Sequence, residues 1–237
     1  MAATPFLQPV FLFAGSEILF WKTDGHLFIQ AVRKAIGDEA PKAAYIGASN
    51  GDVPEFYSIF EAAMDGIGVS GRRMIHSSFA SEEREFLREA RIIVLSGGDV
   101  ERGWKVFVET GMKDEILSCY RNGAVLIGVS AGAVQLGQHA VVGRGESSHQ
   151  LIESLEVVPF VIDVHDEQRD WSRLSSTIRL LEGTRVGIGI PTGGGMVCYA
   201  DQSVEPVRRP LHEFRVDNDT VKHSLLMPGE TAAISHH

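Results

Sequence analysis

The chain has 237 residues, with 22 Lys and Arg against 31 Asp and Glu for a net charge of −9, and an ordinary globular composition apart from 25 glycines, above the usual ~7%. That length can bury a full core, and with no linker-like tract or internal repeat the reading is a single α/β domain over residues 1–237. The acidic balance argues against nonspecific nucleic acid and against anionic membrane surfaces.

Val10 to Phe20 is apolar but is broken by Ser16 and Glu17, short of the ~18 residues a spanning helix needs. No basic stretch precedes it, so the expectation is a cytoplasmic protein, neither exported nor membrane-bound. Cys119 and Cys198 lie in apolar surroundings outside any C-x-x-C and are expected to be buried and reduced.

Along the chain, Val10–Ala14 reads as a strand. Asp24–Ile36 has helical periodicity through Leu27, Phe28, Ala31, Val32 and Ala35, and stops at Gly37. Lys42–Gly47 is a strand, Pro54–Met64 a helix and Arg73–Ile75 a short strand. Ser81 is placed to cap a helix running to Ala90. Ile92–Leu95 is a central strand, Trp104–Arg121 is helical with an interruption at Gly111, and Ala124–Val129 is a strand.

Alternation of apolar strands with helices predicts a mostly parallel sheet covered on both faces. Functional residues then belong at the carboxyl ends of strands. Three such ends stand out: Ala14-Gly15-Ser16, Ser96-Gly97-Gly98-Asp99, and Gly128-Val129-Ser130-Ala131-Gly132. Beyond residue 185 the segments Val186–Ile190, Met196–Ala200, Pro206–Asp217 and Ser224–Met227 read as shorter strands, antiparallel additions at the sheet edge.

Gly128 to Gly132 is a G-x-S-x-G turn between an apolar strand and a helical segment, the pattern of a nucleophile elbow. Small residues let the chain bend sharply and lift the Ser130 hydroxyl above the sheet, and the Ala131 N–H can serve an oxyanion. A serine hydroxyl needs a neighbouring base. His165, after the strand-like Val161–Val164, is the preferred base, expected on a loop at the same sheet edge; His139 and His149 are alternatives.

The acid that orients the base is open among Glu146, Glu153, Asp163 and Asp166. Asp163 shares a strand face with His165, and Glu146 lies in the glycine-rich Gly143-Arg144-Gly145-Glu146. The Gly98 N–H is a second oxyanion donor, with Asp99 beside it. Arg169 and Arg173, four and eight residues beyond His165, suit an acidic substrate group, since guanidinium binds carboxylate as a fork. Gly193-Gly194-Gly195 lacks a P-loop lysine, nothing matches H-E-x-x-H, and no metal or other cofactor is expected.

These residues resemble peptidase family S51, the group of aspartyl dipeptidase (dipeptidase E) and cyanophycinase, from Ala43 to about Ile190. The resemblance implies a flavodoxin-like three-layer α/β sandwich of the class I glutamine amidotransferase type, with serine in place of cysteine. It implies Ser130 as nucleophile, Gly98 in the oxyanion hole, Asp99 near the substrate, and His165 as base in Val161-Ile162-Asp163-Val164-His165. The family order places the acid between serine and histidine, which prefers Glu146 to Asp163.

The resemblance also implies short aspartyl peptides as substrates, α-Asp-X or β-Asp-Arg in type. The substrate-binding residues would be Asp99, Asp163, Arg169 and, with a one-residue gap, Arg173. The chain departs from the pattern at Asp166, where the family commonly has phenylalanine. It departs again at Trp171, where a second arginine is usual, and at Pro191-Thr192-Gly193-Gly194, where an acidic pair is usual. Each departure is expected to reshape the pocket wall, Trp171 replacing a charged contact with a flat apolar one. The expected activity is serine hydrolysis of aspartyl peptide bonds. The alternatives are a non-peptide esterase or amidase, and a non-catalytic binding protein on the same fold. A homodimer fits the general prevalence of two-fold assemblies.

Overall fold

The computed structural model describes residues 7–37, 40–142, 150–181, 184–218, 220–229 and 232–233. The first half runs β1 (Val10–Phe13), β2 (Lys22–Thr23), β3 (His26–Leu27), α1 (Gln30–Ile36), β4 (Lys42–Ile46), α2 (Pro54–Gly66), β5 (Gly71–Ile75), α3 (Ser81–Glu89), β6 (Ala90–Leu95), α4 (Val100–Thr110), α5 (Met112–Arg121), β7 (Val125–Val129) and α6 (Ala131–Leu136). The second half runs β8 (His139–Val142), β9 (Gln150–Glu153), β10 (Phe160–Val164), α7 (Ser172–Leu180), β11 (Val186–Ile190), β12 (Gly195–Cys198), β13 (Ser203–Val207), β14 (Leu211–Asp217), β15 (Thr220–Leu226) and β16 (Ala232–Ala233).

Eight strands form the central sheet in the order β16-β13-β12-β1-β7-β6-β4-β5. The five from β1 to β5 in that order are parallel, and β12, β13 and β16 extend the sheet antiparallel beyond β1. Alternate residues of the parallel strands feed opposite layers. Leu12, Ile46, Ile93, Leu95 and Leu126 pack on the side of α4 and α5. Phe11, Phe13, Tyr45, Val94 and Ile127 pack with Phe60 and Met64 of α2 on the other. This is the layered, mostly parallel α/β architecture the sequence implies.

Three expectations change. Only Gln30–Ile36 of the segment Asp24–Ile36 is α-helical, because Lys22–Leu27 turns back on itself as the β2–β3 hairpin. Ser81 is the first helical residue rather than the cap. The Glu83 carboxylate closes that end instead, accepting the Ala80 N–H at 2.8 Å.

The third change matters most for the site. Of the late strands only Gly195–Cys198 and Ser203–Val207 join the central sheet with β16. Val186–Ile190, Leu211–Asp217 and Thr220–Leu226 join Phe160–Val164 in a separate four-stranded sheet of order β10-β11-β14-β15. Its β10 packs behind the elbow helix. The Gln138 N–H donates to the Phe160 carbonyl at 2.9 Å, and Ile162, Ile188 and Leu211 share one apolar layer with Leu95 and Leu126. Among the described residues no helix is long and apolar enough to cross a membrane.

Candidate active site

The turn after β7 is as tight as its glycines require. A Cβ on Gly128 would lie 2.6 Å from the Ala133 nitrogen, and one on Gly132 would lie 2.3 Å from the Leu95 carbonyl oxygen. Ser130 itself has φ 50° and ψ −110°, a strained conformation held by its N–H bond to Phe13 O at 2.8 Å. Strain of this kind persists where the surroundings over-determine it, as the neck of a strand-to-helix elbow does.

His165 reaches the same point from the other sheet. It follows β10, has φ 43°, and its N–H donates to Ile190 O at 3.0 Å. Its Nε2 stands 2.9 Å from the Ser130 Oγ. The base therefore comes from the small sheet's strand end, not from a loop of the central sheet as expected. Packing of α6 on β10 is what brings the two strand ends together. Among the described residues the His165 Nδ1 makes no hydrogen bond.

The Ala131 N–H opens α6. The next three N–H groups of that turn are taken up by Ser96 O (3.1 Å) and twice by Ser130 O (2.9 and 3.1 Å), which leaves Ala131 without an intramolecular acceptor among the described residues. Gly98 sits across the cavity with φ 134°, a conformation open to glycine alone. A Cβ there would meet the Ser49 carbonyl oxygen at 2.2 Å.

Residues not anticipated from the sequence fix this turn. The Asp99 N–H donates to Ser49 O at 2.8 Å, the Ser49 hydroxyl lies 3.2 Å from Gln135 Oε1, and Gln135 Nε2 donates to Val100 O at 3.0 Å. Gln135 is fully buried. It thus couples the elbow helix to the start of α4 directly behind Gly98.

Gly98, Ser130, Ala131, His165, Asp163 and Arg173 line one cavity of about 120 Å³ that His139 and apolar residues such as Val134, Ile162 and Leu174 also border. Arg173 binds Asp163 as a fork, through Nε at 3.0 Å and through Nη2. Burial pushes the Asp163 carboxyl up, against the pull of that fork. Asp163 therefore faces Arg173 rather than His165.

Arg169 is 77% exposed and stands 4.0 Å from Asp166. The Asp99 carboxylate caps α4, accepting the Arg102 N–H at 2.9 Å. Neither residue lines the cavity. Glu153 ends the exposed β9 beside His139, and Glu146 and His149 lie outside the described residues. Asp166 is buried, with Oδ2 unpartnered among the described residues.

A second carboxylate was not singled out by the sequence. Glu167 accepts the Thr192 N–H at 3.2 Å, within the turn where the chain departs from the family pattern. Burial raises the Glu167 carboxyl, but hydrogen bonding from Thr192 and the charge of His165 outweigh it and hold it below its ordinary range. Trp171 does not form the pocket wall. It is 2% exposed and lies under Gly189, 5.0 Å from the His212 ring in the small sheet's own core.

The two thiols take no part, since burial pushes Cys119 up to about 11 and Cys198 up to about 12. No group of three or more potential metal ligands occurs among the described residues.

Comparison with known proteins agrees with this architecture. The chain is similar to a cyanophycinase from Geminocystis herdmanii (strain PCC 6308), 28% identical over 134 residues. The match covers 52% of this chain and 48% of that protein, so the chain spans about half the length of the curated relative it matches. A peptidase from an acI-B1 Actinobacterium superposes with a TM-score of 0.73 at 18% identity, over 98% of both chains. A putative peptidase E protein from Listeria monocytogenes EGD-e superposes with a TM-score of 0.58 at 14% identity, over 93% of this chain and 100% of that one. These two share the fold. The model of peptidase family S51 matches residues 10–205, and the chain accordingly belongs to that family of hydrolases.

Proposed function

We propose that the protein hydrolyses aspartyl peptide bonds in short peptides through an acyl-enzyme on Ser130. The observation that carries this reading is the 2.9 Å contact between the Ser130 Oγ and the His165 Nε2 at a strained elbow. His165 takes the hydroxyl proton as Oγ attacks the scissile carbonyl carbon. The resulting oxyanion is met by the Gly98 and Ala131 N–H groups. Collapse breaks the C–N bond while His165 returns the proton to the leaving amine. Water, deprotonated by His165, then attacks the ester carbon and releases Ser130.

The third member is Glu146 on the family order. Glu167 adds negative charge near the imidazolium that forms. The aspartyl carboxylate is held on the edge of Arg173 left open by Asp163. No cofactor enters this chemistry.

The test is product analysis by mass spectrometry on α-Asp-X dipeptides, longer peptides with N-terminal aspartate, β-Asp-Arg, and neutral Ala-X and Leu-X controls, with wild type and Ser130→Ala. Cleavage confined to aspartyl substrates and abolished by Ser130→Ala is expected. A full rate in Ser130→Ala contradicts the mechanism. Equal cleavage of neutral peptides contradicts the aspartyl specificity.

A further inference from the structure

Ser130 opens on two cavities, one of mixed lining that carries the charged groups and a second that is more apolar. The second, of about 230 Å³, shares Gly98 and Ser130 with the first but not His165 or Arg173. Leu19, Tyr45, Phe60 and Val94, each buried, form its floor, and Phe56 and Ile59 of α2 stand at its mouth. Among the described residues no charged side chain lines it. The Tyr45 ring packs 5.3 Å from that of Phe60, and the Tyr45 hydroxyl already accepts a hydrogen bond from Asn50 Nδ2 at 2.8 Å. The floor therefore offers mainly apolar contact, with the Ser16 and Ser96 hydroxyls also in the lining. Phe56 is 50% exposed, a large apolar ring left in water beside the nucleophile.

We infer that this cavity is a substrate subsite for a bulky apolar side chain, aliphatic or aromatic, on the residue joined to the aspartyl unit across the scissile bond. The inference rests on the aspartyl reading in one respect: a carboxylate held at Arg173 fills the first cavity, so the rest of the substrate extends over Ser130 toward Leu19 and Phe60. The second cavity is roughly twice the volume of the first, which suits a leucyl or phenylalanyl side chain. Transfer of such a side chain from water into a preformed apolar site favours it over glycine by about tenfold or more. A charged side chain there would lose hydration with no charged partner among the described residues to replace it.

Four peptides separate this inference from the aspartyl reading: Asp-Phe, Asp-Gly, Ala-Phe and Ala-Gly, each assayed for kcat/KM. The Phe-to-Gly ratio reports the apolar subsite, and the Asp-to-Ala ratio reports the carboxylate site. A Phe-to-Gly ratio of about ten or more is expected, falling toward one in Phe56→Glu, which charges the mouth, and in Ile59→Trp, which fills it. Phe56 is exposed enough that its variant should fold even if Ile59→Trp does not. A ratio near one in wild type, or one unmoved by Phe56→Glu, overturns the subsite. An Asp-to-Ala ratio near one with the Phe preference intact overturns the aspartyl specificity alone. No cleavage of any of the four overturns both.

Discussion

Ser130 and His165 both adopt positive φ, 50° and 43°, and their side chains meet at 2.9 Å although they end strands of different sheets. Each backbone is pinned by one hydrogen bond to a neighbouring strand end, Ser130 to Phe13 O and His165 to Ile190 O. The pairing of nucleophile and base thus depends on the packing of α6 against β10 as much as on either turn. Contacts that fix the two sheets relative to each other bear on rate.

Gly98 is the point at which one methyl group should separate binding from turnover. Gly98→Ala drives a Cβ to within 2.2 Å of Ser49 O at φ 134°, so the turn must move and its N–H with it. Losing one oxyanion donor costs about 10²–10³ in kcat. The expected result is a loss of that order with little change in KM, read from steady-state kinetics on an aspartyl peptide.

The carboxylates near the base can be ranked by substitution. With Glu146 as the orienting acid, Glu146→Gln should lower kcat by about 10²–10⁴. Glu167→Gln, which removes a charge but leaves the Thr192 turn able to bond an amide oxygen, should lower it less than about tenfold. The reverse order would make Glu167 the acid.

Arg173 is a structural partner before it is a ligand for substrate. Arg173→Ala strands the Asp163 carboxylate, whose side chain is only 6% exposed. Breaking a buried pair costs about 3–5 kcal/mol, and the 39% exposure of the Arg173 side chain puts this case at or below the low end. Thermal unfolding should show Arg173→Ala clearly destabilised and the double replacement with Asp163→Asn less so.

Glu115 ties α5 to α3 by accepting from Arg84 Nη1 and Arg88 Nε, each at 3.0 Å. The bond from Arg88 leads the effects that hold its carboxyl below the ordinary 4.5. A depressed folded value means stability fully present above about pH 4.5 and lost as the pH falls through the folded value. The Tm gap between wild type and Glu115→Gln should be constant from pH 7 to about 5 and shrink below that.

The elbow was legible because its evidence is local: glycines at both ends of Gly128–Gly132, an apolar strand before it, a helix after it. The same holds for Gly98, whose strand-end position is written in Ile92–Leu95. Sheet membership was not legible. Val186–Ile190 and Gly195–Cys198 are both short apolar runs, and nothing in period or composition says that one pairs with β10 and the other with β1. Nor does spacing reveal that Arg173 spends its fork on Asp163, because that bond joins a strand to a helix across the turn that carries His165. The roles of Gln135 and Ser49 are not written in the sequence, since polar residues on a helix and in a loop read as solvated until burial is known.

The central claim is tested most directly by intact-mass measurement of covalent labelling with a fluorophosphonate. Wild type should gain one adduct, mapped to Ser130 by peptide sequencing. Ser130→Ala should gain none, and His165→Ala should label at least about a hundredfold more slowly, since the base is what activates the hydroxyl. Labelling at another residue, or an unchanged rate in His165→Ala, would contradict the assignment of the Ser130–His165 pair.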